Sequence, residues 1–305
     1  MKSIKPNTLV YITLILLLMI SGLFYQLGGR SWLVEIRKDQ KIIVSKEKKS
    51  VEGKKQKGKE AFIVPDFNSI PNDHLGESIR RGKHYLENTF ETLPKFTGAK
   101  MNCTNCHLNA GTTQFAGPWI GVTARFPQYR SRSAKVDTLT DRVNDCFERS
   151  LNGKRLPETS EAMTDIISYM TWLSKGYDIG GDVEGSGMPK LKLEQPPDIE
   201  KGKLVYQNKC SSCHQQNGQG LFAENGKVIY PALWGKDSFN LGAGMARLHT
   251  AAGFVKKNMP LGQGNSLTDE EAWNVAAYFT TQSRPDFKKK LNDWIKGDKP
   301  NDARY

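Results

Sequence analysis

Apolar and polar positions follow three different patterns along this chain. From Pro6 to Gly29 no residue is charged, and the centre of that run, LVYITLILLLMISGLF, is apolar enough for one membrane span of about 20 residues. The pattern then inverts. The stretch RKDQKIIVSKEKKSVEGKKQKGKE is rich in Lys, Glu and Gly and nearly free of aromatics, so it cannot bury enough apolar surface to fold alone. Beyond Pro65, apolar residues recur at helical spacing. ESIRRGKHYLENTF sets Ile79, Gly82, Leu86 and Phe90 on one stripe, and DIEKGKLVYQNKC sets Ile199, Gly202 and Tyr206 on another. Two later helices close these segments: SEAMTDIISYMTWLS, with Ser160 as its N-cap, and TDEEAWNVAAYFTTQ, where Thr268 and Glu271 form a capping box. Tyr169 and Tyr278 take matching places in them. Convincing strand alternation is absent, so the expected fold class is all-α.

Two similar segments in one order predict an internal repeat. The expected boundaries are an apolar N-terminal segment over 1–29, a charged tether over 30–64, a first domain over 65–180, a linker over 181–197, a second domain over 198–290 and a tail over 291–305. The linker reading rests on the Gly and Pro content of GGDVEGSGMPKLKLEQPP. Each domain is close to the roughly 100 residues that one small core needs. Lys2 and Lys5 precede the apolar run and should keep that end in the cytoplasm. An uncleaved membrane anchor is the expectation, because Leu23, Phe24, Tyr25 and Gln26 are all too bulky for a signal-peptide cleavage site. A cleaved signal peptide is the competing reading, and either one carries the rest of the chain across the membrane.

The net charge of +12 raises nucleic acid as a partner, yet ten of the basic residues fall between Arg37 and Lys59. The remainder is a mixed surface without an arginine-rich helix or a nucleic-acid motif, which argues against such a partner.

Five cysteines change the picture most, because four of them stand in CTNCH and CSSCH. In C-x-x-C-H two thiols on one turn can form thioethers with the vinyl groups of a haem, and the adjacent histidine lies under the iron. Two copies in repeated contexts therefore predict two covalently attached haem c groups, at Cys103, Cys106 and His107 and at Cys210, Cys213 and His214. A zinc site would bring its cysteine pairs closer together. For the second iron the opposite ligand expected is Met259, in the loop KKNMPLG before the closing helix; Met245 and His249 are its rivals. The first domain has no such loop, and Met163 and Met170 fall inside a helix, where core packing is the ordinary role. At a comparable distance stands Cys146, in NDCFERS. It is either a buried free thiol or a thiolate ligand to the first iron, and the residues alone leave both readings open.

The segments CTNCHLNAG, GPWIGVTARFPQYRSR, DRVNDCFERSLNGKRLP and PALWGKDSFNLGAGMARLHTAAGFVKKNMP together resemble the thiosulfate dehydrogenases, also called tetrathionate synthases. The likeness runs from about Asn68 to Pro285. It implies two class-I cytochrome c-like haem domains in tandem, in the periplasm, coupling two thiosulfate ions into tetrathionate with release of two electrons. It implies further that Cys146 and His107 ligate the catalytic haem, that His214 and Met259 ligate an electron-transfer haem, and that Arg132, Arg142 and Ser150 line the substrate pocket. Arg125, Arg130 and Glu148 share those segments. Arginine suits this role because its fork matches sulfonate oxygens and its charge offsets the repulsion between two dianions. Some members of the family carry lysine directly before the methionine; this chain has Asn258, with Lys256 and Lys257 close by. The expected partners are thiosulfate and tetrathionate, an external electron acceptor such as a small cytochrome c, and the inner membrane through the anchor. The rival reading is a di-haem electron carrier, with methionine or histidine opposite both haems and no anion pocket.

Overall fold

A computed structural model describes residues 58–305, which form one compact unit. The expected anchor over 1–29 and most of the tether lie outside the described residues; among those described, no helix is long and apolar enough to cross a membrane. The end of the tether is pinned to the first half. The Glu60 amide donates to the Asp182 carbonyl at 2.8 Å, and Tyr177 Oη accepts from the Ile63 amide at 2.9 Å.

Six helices of ten or more residues organise the described residues: α1 (His74–Glu87), α2 (Leu139–Glu148), α3 (Glu161–Trp172), α4 (Ile199–Lys209), α5 (Leu248–Asn258) and α6 (Asp269–Thr281). Their starts follow from the sequence. Ser160 caps α3, Thr268 and Glu271 box α6, and Thr138 and Asp141 form a further box at α2.

The repeat is visible in how these helices cross. Helix α1 packs on α3, and α4 packs on α6. At each crossing a glycine lets two backbones touch: a Cβ on Gly82 would stand 2.0 Å from the Asp165 carbonyl oxygen, and one on Gly202 would stand 2.0 Å from that of Asn274. Ile79, Leu86, Phe147, Ile166 and Tyr169 fill the first core. Tyr206, Val275, Ala276 and Phe279 belong to the second.

The all-α expectation needs one correction. Two small antiparallel ladders are present, β1 (Gln128–Arg130) with β2 (Lys135–Asp137), and β3 (Leu221–Phe222) with β4 (Val228–Tyr230). Strands of two or three residues are too short to carry a legible period of two.

The segment read as a linker, 181–197, is packed against the rest of the fold. Its Gly185 and Gly187 carbonyls accept from the amides of Phe115 and Gly117 at 2.7 and 3.0 Å, and Pro189 lies against Gly253 of α5. The tail is equally engaged. Asp293 pairs with Arg149 at 2.7 Å and with Arg132 at 3.5 Å, and it accepts from the Tyr305 hydroxyl.

Candidate functional site

Each half holds a cavity built around its C-x-x-C-H segment. The first, of about 300 Å³, is lined by Cys103, Cys106, His107 and Cys146. The second, of about 180 Å³, is lined by Cys210, Cys213, His214 and Met259.

Both histidines are held in the same way. His107 Nδ1 donates to the Gly117 carbonyl at 2.5 Å, and His214 Nδ1 donates to that of Pro231 at 2.9 Å. With Nδ1 carrying the proton, the Nε2 lone pair is free for a metal, and the ring cannot turn away from it. A tryptophan closes each histidine loop: four residues after each histidine, Gly111 (φ +77°) and Gly218 (φ +66°) leave the space that Trp119 and Trp234 occupy. A Cβ there would stand 2.0 and 2.3 Å from the indole rings. The two carbonyls and the two tryptophans are parts of the site that sequence reasoning missed; the shared cues were Pro118, Pro231 and a glycine at the same offset.

The three sulfurs of the first cavity differ sharply. Burial pushes the Cys103 and Cys106 thiols up to about 12. Burial acts on Cys146 in the same sense, but the Arg142 charge leads the opposing effects that bring its thiol down to about 6. The cause is local. Arg142 and Cys146 lie four residues apart on α2 and so share a face, and Arg142 Nη1 donates to Cys146 Sγ at 3.0 Å. Val143 and Phe147 turn the same helix's apolar side into the core.

Of the residues proposed as a substrate pocket, Arg142 and Ser150 line this cavity and Arg132 does not. Arg132 Nη1 donates to the Gly242 carbonyl at 2.8 Å, and its guanidinium lies 4.4 Å from the Trp294 ring centroid. Glu148 also faces elsewhere, pairing with Lys289 at 2.5 Å. Arg125 and Arg130 take the cavity positions instead. Neither makes an ion pair among the described residues, and Arg125 Nε is buried with no hydrogen-bond partner. Burial pushes both guanidinium groups below the ordinary arginine range, and the nearby Arg142 charge adds to the effect.

In the second cavity Met259 ends α5, while Met245 lines both cavities. His249 is turned to Asp302 at 3.1 Å. The lysines beside Met259 are engaged elsewhere. Lys256 pairs with Asp269 at 3.0 Å, and Lys257 Nζ lies 5.2 Å from the Phe115 ring. Asn258 is buried and donates to the Phe254 carbonyl at 3.0 Å. Met163 is fully buried core, and Met170 borders the first cavity.

Residues 88–179 match the family model for the SoxA/TsdA cytochrome c domain, and residues 197–279 match that for subunit III of cbb3-type cytochrome c oxidase. The chain is 44% identical to a thiosulfate dehydrogenase of Psychrobacter arcticus over 81% of its own length and 76% of the relative's. It is 46% identical to one of Allochromatium vinosum, covering 76% and 88%. The chain belongs to the thiosulfate dehydrogenase family. Among solved structures it is similar to the thiosulfate dehydrogenase TsdBA of Marichromatium purpuratum, with a TM-score of 0.71 and 33% identity over 74% of this chain. The match spans half of that longer chain. Cytochrome c domains in this family carry covalently bound c-type haem, and the donor sets here fit that group: a thiol pair, a histidine with its ring fixed, and a further sulfur lining each cavity.

Proposed function

We propose that this chain oxidises two thiosulfate ions to tetrathionate at the first cavity and passes two electrons out through the second. The observation that carries the proposal is Cys146, whose thiolate is favoured by Arg142 inside a cavity that also holds two arginines without acid partners.

Bound haem supplies a one-electron acceptor in each cavity, matching the two electrons the reaction releases. The chain's own residues do the rest. Arg125, Arg130 and Arg142 offset the charge of thiosulfate, and Ser150 offers a hydroxyl to its sulfonate oxygens. The Cys146 thiolate forms a sulfur–sulfur bond to the outer sulfur of one thiosulfate, giving a Cys146–S–SO3 adduct and two electrons. The outer sulfur of a second thiosulfate then attacks the thiosulfate-derived sulfur of the adduct, the bond to Cys146 breaks, tetrathionate leaves, and the thiolate returns. Both steps balance in atoms and charge, and the same sequence runs in reverse.

In this reading His107 and Cys146 ligate the first iron, His214 and Met259 the second, and Arg132 is a positioning residue that ties the tail to the first half. The enzyme works in the periplasm and delivers electrons to an external acceptor such as a small cytochrome c. Residues 1–29 hold it to the inner membrane; a mature N-terminus found beyond Gly29 by mass spectrometry would replace the anchor with a cleaved signal peptide.

Cys146→Ala tests the core of the proposal. Haem attachment uses only the other four cysteines, so the variant should keep both haems and a reducible second haem while losing thiosulfate turnover. A cysteine that merely fills space would cost about 1 kcal/mol on this change and leave turnover near normal, and that result would return the chain to the electron-carrier reading.

A further inference from the structure

Beyond Arg125 and Arg130, the half-buried Arg284 and Arg304 also lack a partner of opposite sign among the described residues. Arg284 follows α6, and Arg304 stands next to last in the tail. The tail folds back so that the Tyr305 ring lies 6.5 Å from Phe287 and 5.8 Å from Trp294. The Arg284 guanidinium lies 4.3 Å from the Phe239 ring centroid, and its Nη2 donates to the Phe279 carbonyl at 2.6 Å. Its Nε and Nη1, and Nη1 of Arg304, are buried with no hydrogen-bond partner. Neither residue makes an ion pair among the described residues; burial first, and the Arg304 charge second, bring the Arg284 guanidinium down to about 9. Three buried N–H groups without an acceptor, on two half-buried cations, are costly unless an anion joins them. Phe239 and Phe279 also line the second cavity, so Arg284 stands one side chain away from it.

We infer that Arg284 and Arg304 form a binding site for an oxyanion, outside the cavity that holds Cys146. Paired guanidinium forks match two or more coplanar oxygens. One source of such oxygens is a carboxylate arm of the haem in the second cavity, which rests on the assignment of that cavity made above; the other is a free inorganic oxyanion. In either case the tail supplies half of the site, because Arg304 is brought back by the Tyr305 contact with Asp293 and by the pairing of Asp302 with Arg247 at 3.5 Å.

The test uses the full-length haem protein and its Arg284→Gln, Arg304→Gln and Arg304→Lys variants. Each haem's potential is measured by spectroelectrochemical titration, and the Tm is followed with rising sulfate at constant ionic strength. If the haem supplies the carboxylate, both Gln variants lower the potential of the second haem, because lost positive charge favours its oxidised form, and the first potential holds. If the ion is free, sulfate raises the Tm of the parent more than that of either Gln variant, and both potentials hold. Arg304→Lys separates charge from packing, so a potential shift equal to that of Arg304→Gln overturns the inference. So do Gln variants that change neither potential nor sulfate response. Failure of the cavity assignment itself would appear separately, in the Met259 experiment below.

Discussion

Replacing Gly82 with alanine sets two physical effects against each other and lets the structure predict the sign. Alanine is the better helix former by about 1 kcal/mol, so propensity alone predicts a more stable protein. The crossing predicts the reverse. The new Cβ would stand 2.0 Å from the Asp165 carbonyl oxygen, against roughly 3.5 Å for a relaxed contact, so α1 and α3 must part by about 1.5 Å. The obstacle is backbone and cannot rotate aside. Overpacking of this kind costs about 1–3 kcal/mol, and a rigid obstacle belongs at or above the top of that range, which leaves a net loss of about 2 kcal/mol. For a unit of this size that corresponds to a Tm lower by roughly 4–8 °C. Thermal denaturation followed by far-ultraviolet circular dichroism measures it. Gly58→Ala is the control, since nothing lies within 4 Å of its Cβ position. Leu86 of α1 and Met170 of α3 both line the first cavity, so the same variant should also perturb the first haem's spectrum more than the second's. A Gly82→Ala protein as stable as its parent would refute the tight crossing.

Met259→Gly should abolish the near-infrared sulfur-to-iron band of the oxidised protein while Met245→Ala keeps it; the opposite pattern would make Met245 the ligand. Arg130→Gln should raise the KM for thiosulfate several-fold with little change in Tm, because it removes charge from the cavity and breaks no ion pair. Arg132→Gln should lower the Tm by loosening Asp293 and should affect KM less, and steady-state kinetics beside thermal melts distinguish the two roles.

The haem-bearing segments were legible in the sequence because covalent attachment demands neighbouring residues, and adjacency is what a sequence records. Helix starts were legible for a similar reason: Ser160 and Thr268 act on amides three positions away. The arginines were not. Arg130 ends β1 and Arg132 lies just beyond it, and their fates are decided by Asp293, far along the chain, which captures one and leaves the other to the cavity. The carbonyls that orient His107 and His214 were equally hidden, since every residue carries one. Composition gave no cue to the packing of 181–197. Its glycines and prolines exclude a helix, as expected, yet Gly185 and Gly187 brace the loop whose Gly117 carbonyl holds His107.

Met101, Cys106 and Met245 border both cavities, so a single layer of side chains divides them. Charge can therefore cross by tunnelling through a fixed partition, with no swinging arm and no docking event between the halves. The partition also means that the halves cannot be exchanged as interchangeable parts. A graft of a foreign second half would carry in its own version of the Met245 face, and with it a different conductance from the one that the Met101 and Cys106 face was shaped to meet.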